Sequence, residues 1–338
     1  MTPIRNNEWI LESFLKTTST FADLIVIFDQ ASDDKSEQIC RRFPKVDYNY
    51  TSNTNWLGTK LRKIPIAKAR ELIPGPKILL GLDVDEILTA DSLDSPDWKQ
   101  VHSAETGTIL NFEKPDIYDG YSNVIRYPGN YFPLGIVDDD TLEYSQKSHE
   151  IHTQRIPSKE NLKIRNINGI KFMHYGLYDL NLQKSKERFY SMLEIIEKKN
   201  KNYINDLIIN IHYDTNYDYT SLGILTKTPN EWYDGWELKK INVKIFKIDK
   251  FNFFDVEALR FFKIHGTKLF WNINIWSFNW LECILYSKNK KGVIEEKNFL
   301  EPTKIRIEIN RVMSSLISII IYLRNKLNFL LTIYKRSF

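Results

Sequence analysis

Lys77-Ile78-Leu79-Leu80-Gly81-Leu82-Asp83-Val84-Asp85-Glu86 carries an apolar run directly into three acids. A short run that is apolar on both faces suits a strand covered on both sides, as in a parallel sheet. Pro74-Gly75-Pro76 ends whatever precedes it. Upstream, Ala22-Asp23-Leu24-Ile25-Val26-Ile27-Phe28-Asp29 has the same form and also stops on an acid. Helical spacing fills the intervals. Ile10, Leu11, Phe14 and Leu15 make an i, i+4 stripe, and Ser32 or Asp33 can cap a helix through Ile39 and Cys40. Leu61, Ile64, Ala69 and Leu72 form a third helix that Pro65 starts or kinks. Val46 to Tyr50 is a weaker strand. This alternation predicts an α/β fold with a mostly parallel sheet. Ligands of such sheets bind off the carboxyl ends of the strands, where both acidic motifs fall.

The 338 residues are 42% hydrophobic and 27% charged, a globular composition that excludes long disorder and coiled-coil arrays. Two cysteines, Cys40 and Cys283, are too few for a disulfide framework and set a reducing compartment as the default. The net charge of +4 is unevenly placed. From Lys304 onward there are seven Lys or Arg and one acid, Glu308, which leaves the body at about −2. A nearly neutral body does not read as a nucleic-acid groove; a basic, apolar tail reads as a segment that touches an anionic surface. Glu8 and Glu12 interrupt any secretory apolar core. Val312 to Leu323 is uncharged but short of the roughly 20 residues needed to span a bilayer. The expectation is a cytoplasmic protein whose only membrane contact is lateral, at the inner face.

Further along, Thr106 to Phe112 reads as a strand and Asp116 to Asp140 as loop. Lys184 to Asn200 reads as a helix with Phe189, Met192, Leu193 and Ile196 on one face and Lys184, Lys186 and Arg188 on a solvated one. The region beyond about residue 205 is rich in Asn, Tyr, Trp and Phe and shows no clear period. Trp232-Tyr233-Asp234-Gly235-Trp236 would either stack on a sugar or pack into a core. The final 30 residues form one apolar or amphipathic helix, or two broken at Arg324-Asn325-Lys326. Met1 to Glu8 lacks an apolar run, so the first strand of the sheet is expected to be almost absent.

Asp-x-Asp at a strand end places two carboxylates on one turn, able to hold a divalent ion while leaving positions for phosphate oxygens. An ion so placed neutralises a diphosphate leaving group. The plain alternative is a solvated acidic turn. Aspartyl-nucleophile phosphatases also carry Asp-x-Asp after a strand, but normally with Thr or Val where Ile87 stands. Three blocks in order, Thr2 to Leu11, Phe28-Asp29-Gln30-Ala31-Ser32-Asp33-Asp34 and Leu82-Asp83-Val84-Asp85-Glu86, resemble the family 2 glycosyltransferases of GT-A fold. The departures are the missing first strand, Asn7 in place of Glu, and Ala31 in place of the turn glycine.

The resemblance implies a Rossmann-like mixed sheet flanked by helices and an inverting transfer from a nucleotide-diphosphate sugar, a UDP-sugar first, to a glycan or lipid-linked acceptor in surface polysaccharide synthesis. Pro3 and Arg5 would line the nucleotide pocket, Asp29 would meet base or ribose, and Arg62 would face the nucleotide or its phosphates. Asp83 would bind ribose or metal and Asp85 the metal. Ser148-His149-Glu150-Ile151-His152 and Phe172-Met173-His174-Tyr175 resemble a later His-Glu and His-Tyr pair, and His174 would complete the metal shell. An imidazole beside two carboxylates suits Mn²⁺ better than Mg²⁺. An inverting transfer needs a carboxylate to take the acceptor proton; Glu150 is the first choice and Asp139 the second. The domain would cover residues 1–200, with an extension over 201–338 that associates with membrane at 312–338. The rivals are a non-catalytic module that keeps the fold and a nucleotidyltransferase, which would carry a Gly-rich first loop.

Overall fold

The computed structural model describes residues 1–54, 60–143, 155–157, 162–198, 202–246 and 248–336. The first half runs β1 (Thr2–Ile4), α1 (Glu8–Thr18), β2 (Ile25–Gln30), α2 (Ser36–Cys40), β3 (Val46–Thr51), α3 (Lys60–Leu72), β4 (Lys77–Leu80) and β5 (Glu86–Leu88). Short helices α4 (Ala90–Leu93) and α5 (Trp98–His102) lead to β6 (Ile109–Glu113), β7 (Asp116–Tyr118), β8 (Asn123–Arg126), β9 (Phe132–Asp138) and β10 (Ile164–Leu177). Then come α6 (Leu180–Glu197), α7 (Tyr203–His212), β11 (Ile224–Lys227), α8 (Glu231–Leu238), α9 (Phe253–His265), α10 (Trp280–Tyr286) and α11 (Lys304–Arg336).

The chain forms two compact units, residues 1–180 with 218–248, and residues 181–217 with 249–338. The division therefore departs from a split at residue 200. α6 belongs almost wholly to the second unit, and the stretch carrying β11 and α8 returns to the first.

In the first unit β1, β2 and β3 pair in parallel, with Thr2 opposite Ile27 and Ile25 opposite Val46. A second, mixed sheet has the order β11-β8-β7-β10-β6-β9-β4, with β5 on β10. The Met1 amine donates to the Leu80 carbonyl at 2.9 Å, which sets β1 beside β4. The fold is thus mixed α/β with a parallel and antiparallel sheet flanked by helices, compatible with a Rossmann-like arrangement. The first strand, expected to be almost absent, is present over three residues. Its buried Thr2 and Ile4 alternate with the half-buried Pro3, and a three-residue strand is too short to show as an apolar run. Asp116 to Asp140 is not loop but β7, β8 and β9; the first two are only three and four residues long, and β9 is interrupted by Pro133 and Gly135.

α1 turns Ile10, Leu11, Phe14 and Leu15 into a core shared with Leu110, Phe112, Phe172 and Tyr175. Each such side chain contributes on the order of 1.5–3 kcal/mol when fully buried. Trp232 and Trp236 belong to the same core, and the Trp236 indole donates to the Leu88 carbonyl at 3.0 Å. They are therefore packing residues of this unit and not a sugar platform. Gly235 permits that packing, because a Cβ there would stand 2.9 Å from the Ala90 Cβ.

The second unit is helical, around Met192, Ile209, Phe262, Trp276 and Trp280. Arg188, expected on a solvated face, is buried; its Nη2 meets Asp255 at 2.8 Å and its guanidinium lies 3.8 Å over the Phe278 ring. A buried guanidinium needs such a partner, and α9 supplies it from a capping box in which Asn252 accepts from the Phe254 amide and Asp255 accepts from the Asn252 amide. α11 is one unbroken helix of 33 residues. Both cysteines are free and buried, and burial pushes each thiol up to about 12.

Candidate functional site

β4 ends at Leu80, and the chain turns through Gly81-Leu82 into Asp83. Gly81 is required there, since a Cβ would come within 2.6 Å of the Arg155 carbonyl. The Asp83 amide donates to Glu86 Oε2 at 2.9 Å, closing the acidic turn before β5 begins. β5 then pairs antiparallel with β10, placing Glu86 opposite His174, and β10 pairs in parallel with β7, placing His174 opposite Asp116. Strand register alone thus sets a glutamate, a histidine and an aspartate abreast across three strands. The Tyr175 amide donates to the Asp85 carbonyl at 2.8 Å, which ties the acidic turn to the same point of β10.

His174 Nδ1 bonds Asp116 Oδ1, and Asp116 Oδ2 accepts from the Tyr127 hydroxyl. Burial disfavours the Asp116 carboxylate, but the imidazole beside it and these two hydrogen bonds outweigh burial and hold its carboxyl below the ordinary range. With Nδ1 committed, His174 directs Nε2 at Asp85 Oδ2, 3.7 Å away. Gly176 makes room for that ring: a Cβ at position 176 would lie 2.5 Å from His174 Cε1. A histidine whose second nitrogen is fixed by a carboxylate is the arrangement that orients metal-binding imidazoles.

Asp83 is held differently. Its Oδ1 pairs with Arg62 Nη2, and its Oδ2 stands 2.6 Å from Arg155 Nη2. Burial alone would raise the Asp83 carboxyl; the two guanidiniums, Arg155 foremost, reverse this and hold it far below the usual carboxylate range. Glu86 is fully buried, 2.5 Å from Arg155 Nη1 and 3.2 Å from Lys114 Nζ. Lys114 also lies 4.9 Å over the Phe132 ring, and it lines a cavity of about 130 Å³ with Arg126 and Tyr127.

The expected residues therefore divide. Asp85 and His174 come together. Asp83 joins an ion-pair network, and Arg62 is spent on Asp83. Among the described residues no set of three His, Cys, Asp or Glu gathers in metal-binding geometry. Of the expected ligand set, Asp85 faces His174, while both Asp83 oxygens pair with guanidiniums. Asp29 is fully buried, with Oδ1 accepting from the Ser32 amide at 2.9 Å and Oδ2 from the Tyr48 hydroxyl at 2.7 Å. It fixes the turn after β2. Burial raises its carboxyl despite those bonds.

Pro3 sits in β1 opposite Phe28, and Arg5 Nη1 donates to the Thr54 carbonyl at 3.0 Å. Asp139 does not join the site. β9 runs antiparallel to β4 with Asp138 opposite Lys77, so Asp139 lies at the far end of β4, about 20 Å of extended chain from Asp83. There its Oδ1 accepts from the Thr141 amide at 3.1 Å and hydroxyl at 2.6 Å. Glu150, with His149 and His152, lies outside the described residues.

Glu86, Lys114, Asp116, Tyr127 and Arg155 were not among the expected site residues. One signal for Asp116 was present: Lys114-Pro115-Asp116 follows the apolar end of β6 much as Asp83 follows β4. Arg155 and Tyr127 reach the site from strand pairing and loops that no local pattern records. A scan against protein-family models and a search of curated proteins both find no match for this chain.

Proposed function

We propose that the first unit is a GT-A-like, metal-dependent glycosyltransferase domain that binds a nucleotide-diphosphate sugar at the carboxyl end of β4. The observation that carries this reading is the pair of donors Asp85 Oδ2 and His174 Nε2, 3.7 Å apart, with the imidazole locked from behind by Asp116. A small closure of that spacing would make the two atoms neighbouring ligands of one divalent ion, with the remaining positions left to diphosphate oxygens and water. Asp85 and His174 would hold Mn²⁺ or Mg²⁺, whose chemistry there is to neutralise the charge that develops on the departing diphosphate.

The protein's own groups have definite tasks. Asp116 fixes the imidazole tautomer and orientation. Arg155 and Arg62 keep Asp83 ionised and shape the turn that presents Asp85. Buried Glu86 balances Arg155 and Lys114, so this cationic pair does not stand uncompensated under the donor site. The acceptor proton requires a carboxylate, and Glu150 keeps that assignment as a proposal. The acceptor is proposed to be a glycan or lipid-linked sugar in surface polysaccharide synthesis.

A second reading has its own observation: Asp83, which the family pattern would give to ribose or metal, is neutralised by two guanidiniums. That favours a module that binds a nucleotide without turnover. Thermal shift with UDP, GDP, CMP and ADP, each with Mn²⁺, Mg²⁺ or EDTA, tests both, since a ligand of the folded state raises the midpoint by mass action. A shift with one diphosphate that EDTA abolishes, followed by release of that nucleotide from its sugar conjugate, supports the transferase. The same shift with every sugar conjugate left intact supports the module. Absence of any shift in folded protein overturns both.

A further inference from the structure

α11 is packed inside out. At roughly 100° per residue, Ile305, Ile309, Val312, Leu316, Ile319, Ile320 and Leu323 fall on one stripe, and all are exposed, from 49% at Leu316 to 74% at Ile305. The opposite stripe carries Ile307, Asn310, Ser314, Ile317 and Ser318, and this is the face turned toward the rest of its unit, with Asn310 and Ser314 buried. Ile307 packs on the apolar core of the unit, and the other inward contacts are polar. Asn310 accepts from the Tyr203 hydroxyl of α7 at 2.9 Å and donates to the Trp271 carbonyl at 2.8 Å. Asn210 of α7 donates to Ser314 Oγ at 3.0 Å. Small and amide side chains hydrogen-bonded between helices are how helices associate where apolar burial gives no advantage. A water-facing helix does the reverse, turning its apolar stripe to the core.

The charges fit the same picture. Lys304 flanks the exposed stripe on one side, together with Arg311, which pairs with Glu308 at 2.9 Å, and Arg306 and Arg324 flank it on the other. Arg306 is steadied by Asn272 Oδ1 at 2.8 Å and lies 5.4 Å from the Trp271 ring. From Lys304 onward the chain holds seven basic residues and one acid. A long apolar stripe bordered on both sides by basic side chains is the form of a helix that lies in a bilayer interface with its cations among anionic headgroups. Among the described residues no helix is long and apolar enough to cross a membrane.

We propose that the exposed stripe of α11, from Ile305 to Leu323, seats this unit in the headgroup region of an anionic lipid surface, the helix lying along the plane of the membrane. This seating involves α11 alone and is independent of any transferase activity of the first unit.

The full chain should float with vesicles of phosphatidylcholine and phosphatidylserine, and bind phosphatidylcholine alone at least about tenfold more weakly. A Val312→Ser, Leu316→Ser, Ile319→Ser triple variant changes only exposed positions, so it should keep the wild-type melting midpoint while losing vesicle binding by at least about tenfold. Equal flotation of wild type and triple variant would overturn the proposal. So would wild-type protein that stays with neither vesicle, or a wild-type dimer in light scattering that the triple variant converts to monomer, which would assign the stripe to a second copy of the chain. Equal binding to both vesicles would overturn the anionic component.

Discussion

Two acidic clusters stand at opposite ends of β4, and in sequence they look alike. Asp83, Asp85 and Glu86 follow the strand, while Asp138, Asp139 and Asp140 are brought to its start by β9. At the start every acid closes onto a local partner. Asp138 receives Arg70 through Nη2 at 2.6 Å and Nε at 2.9 Å, Asp140 pairs with Lys77 and accepts from the Gly75 amide at 2.6 Å, and Asp139 caps its own turn through Thr141. At the far end Asp83 and Glu86 are likewise spent on cations, but Asp85 faces an imidazole that a third carboxylate has oriented. An acidic triplet becomes a candidate site when one member is aimed at a donor of a different kind. The other members then serve to hold the turn.

The sharpest way to break this contrast is Asp85→Ala. It should lower metal-dependent nucleotide binding by about 100-fold or more, read by calorimetry with and without EDTA, and shift the melting midpoint little. Arg70→Met should do the reverse. Among the described residues it leaves the buried Asp138 carboxylate with Lys77 alone as a cation, at 3.6 Å, so chemical denaturation should show a loss of roughly 3 kcal/mol with nucleotide affinity unchanged in the folded protein. Asp116→Asn frees the imidazole, and metal affinity should fall by about 10- to 100-fold while the fold survives.

Acid titration separates the ends further. Asp83 and Asp116 are held below their unfolded carboxyl values, so their contribution is complete above about pH 4 and is lost as pH falls through the depressed folded values. Asp83→Asn should accordingly flatten the stability profile below about pH 4, where wild type declines. The smallest effect belongs to Asp139→Asn, which should lower the midpoint slightly and leave nucleotide binding within about twofold of wild type, because that carboxylate serves only its turn. A large loss of turnover there would restore Asp139 as a candidate base.

Alternating helices and buried strands over the first 90 residues are local properties, and the sequence showed them. β2 is buried at every position, and β4, although only Leu79 is fully buried, keeps Ile78-Leu79-Leu80 together, so each leaves a continuous apolar run as the visible mark. Ala31 was legible as a turn residue yet misleading in identity: it adopts φ +57°, a conformation glycine takes freely and alanine takes at about 1–2 kcal/mol. It keeps the turn because Asp29 and Ser32 hold it from both sides. What stayed hidden is non-local. Asp116 matters only through its register with His174, and Arg155 only through the chain segment that Gly81 admits. Trp232 and Trp236 could be read either as a sugar platform or as core, because Leu88 on β5, which accepts from the Trp236 indole, lies 148 positions earlier.

The return of residues 218–248 to the first unit has a consequence for the order in which the chain can mature. Its core is incomplete until Trp232 and Trp236 arrive, and β11 must pair with β8 across 97 intervening residues between Arg126 and Ile224. During synthesis, the acidic turn and His174 emerge well before Tyr233 and Trp236, which bond the neighbouring Tyr175 and Leu88. The nascent first unit must therefore wait, with Tyr175 lacking Tyr233 and the Leu88 carbonyl lacking the Trp236 indole, until the helical insertion has passed through the ribosome, a window in which a folding helper or a pause in translation would matter most.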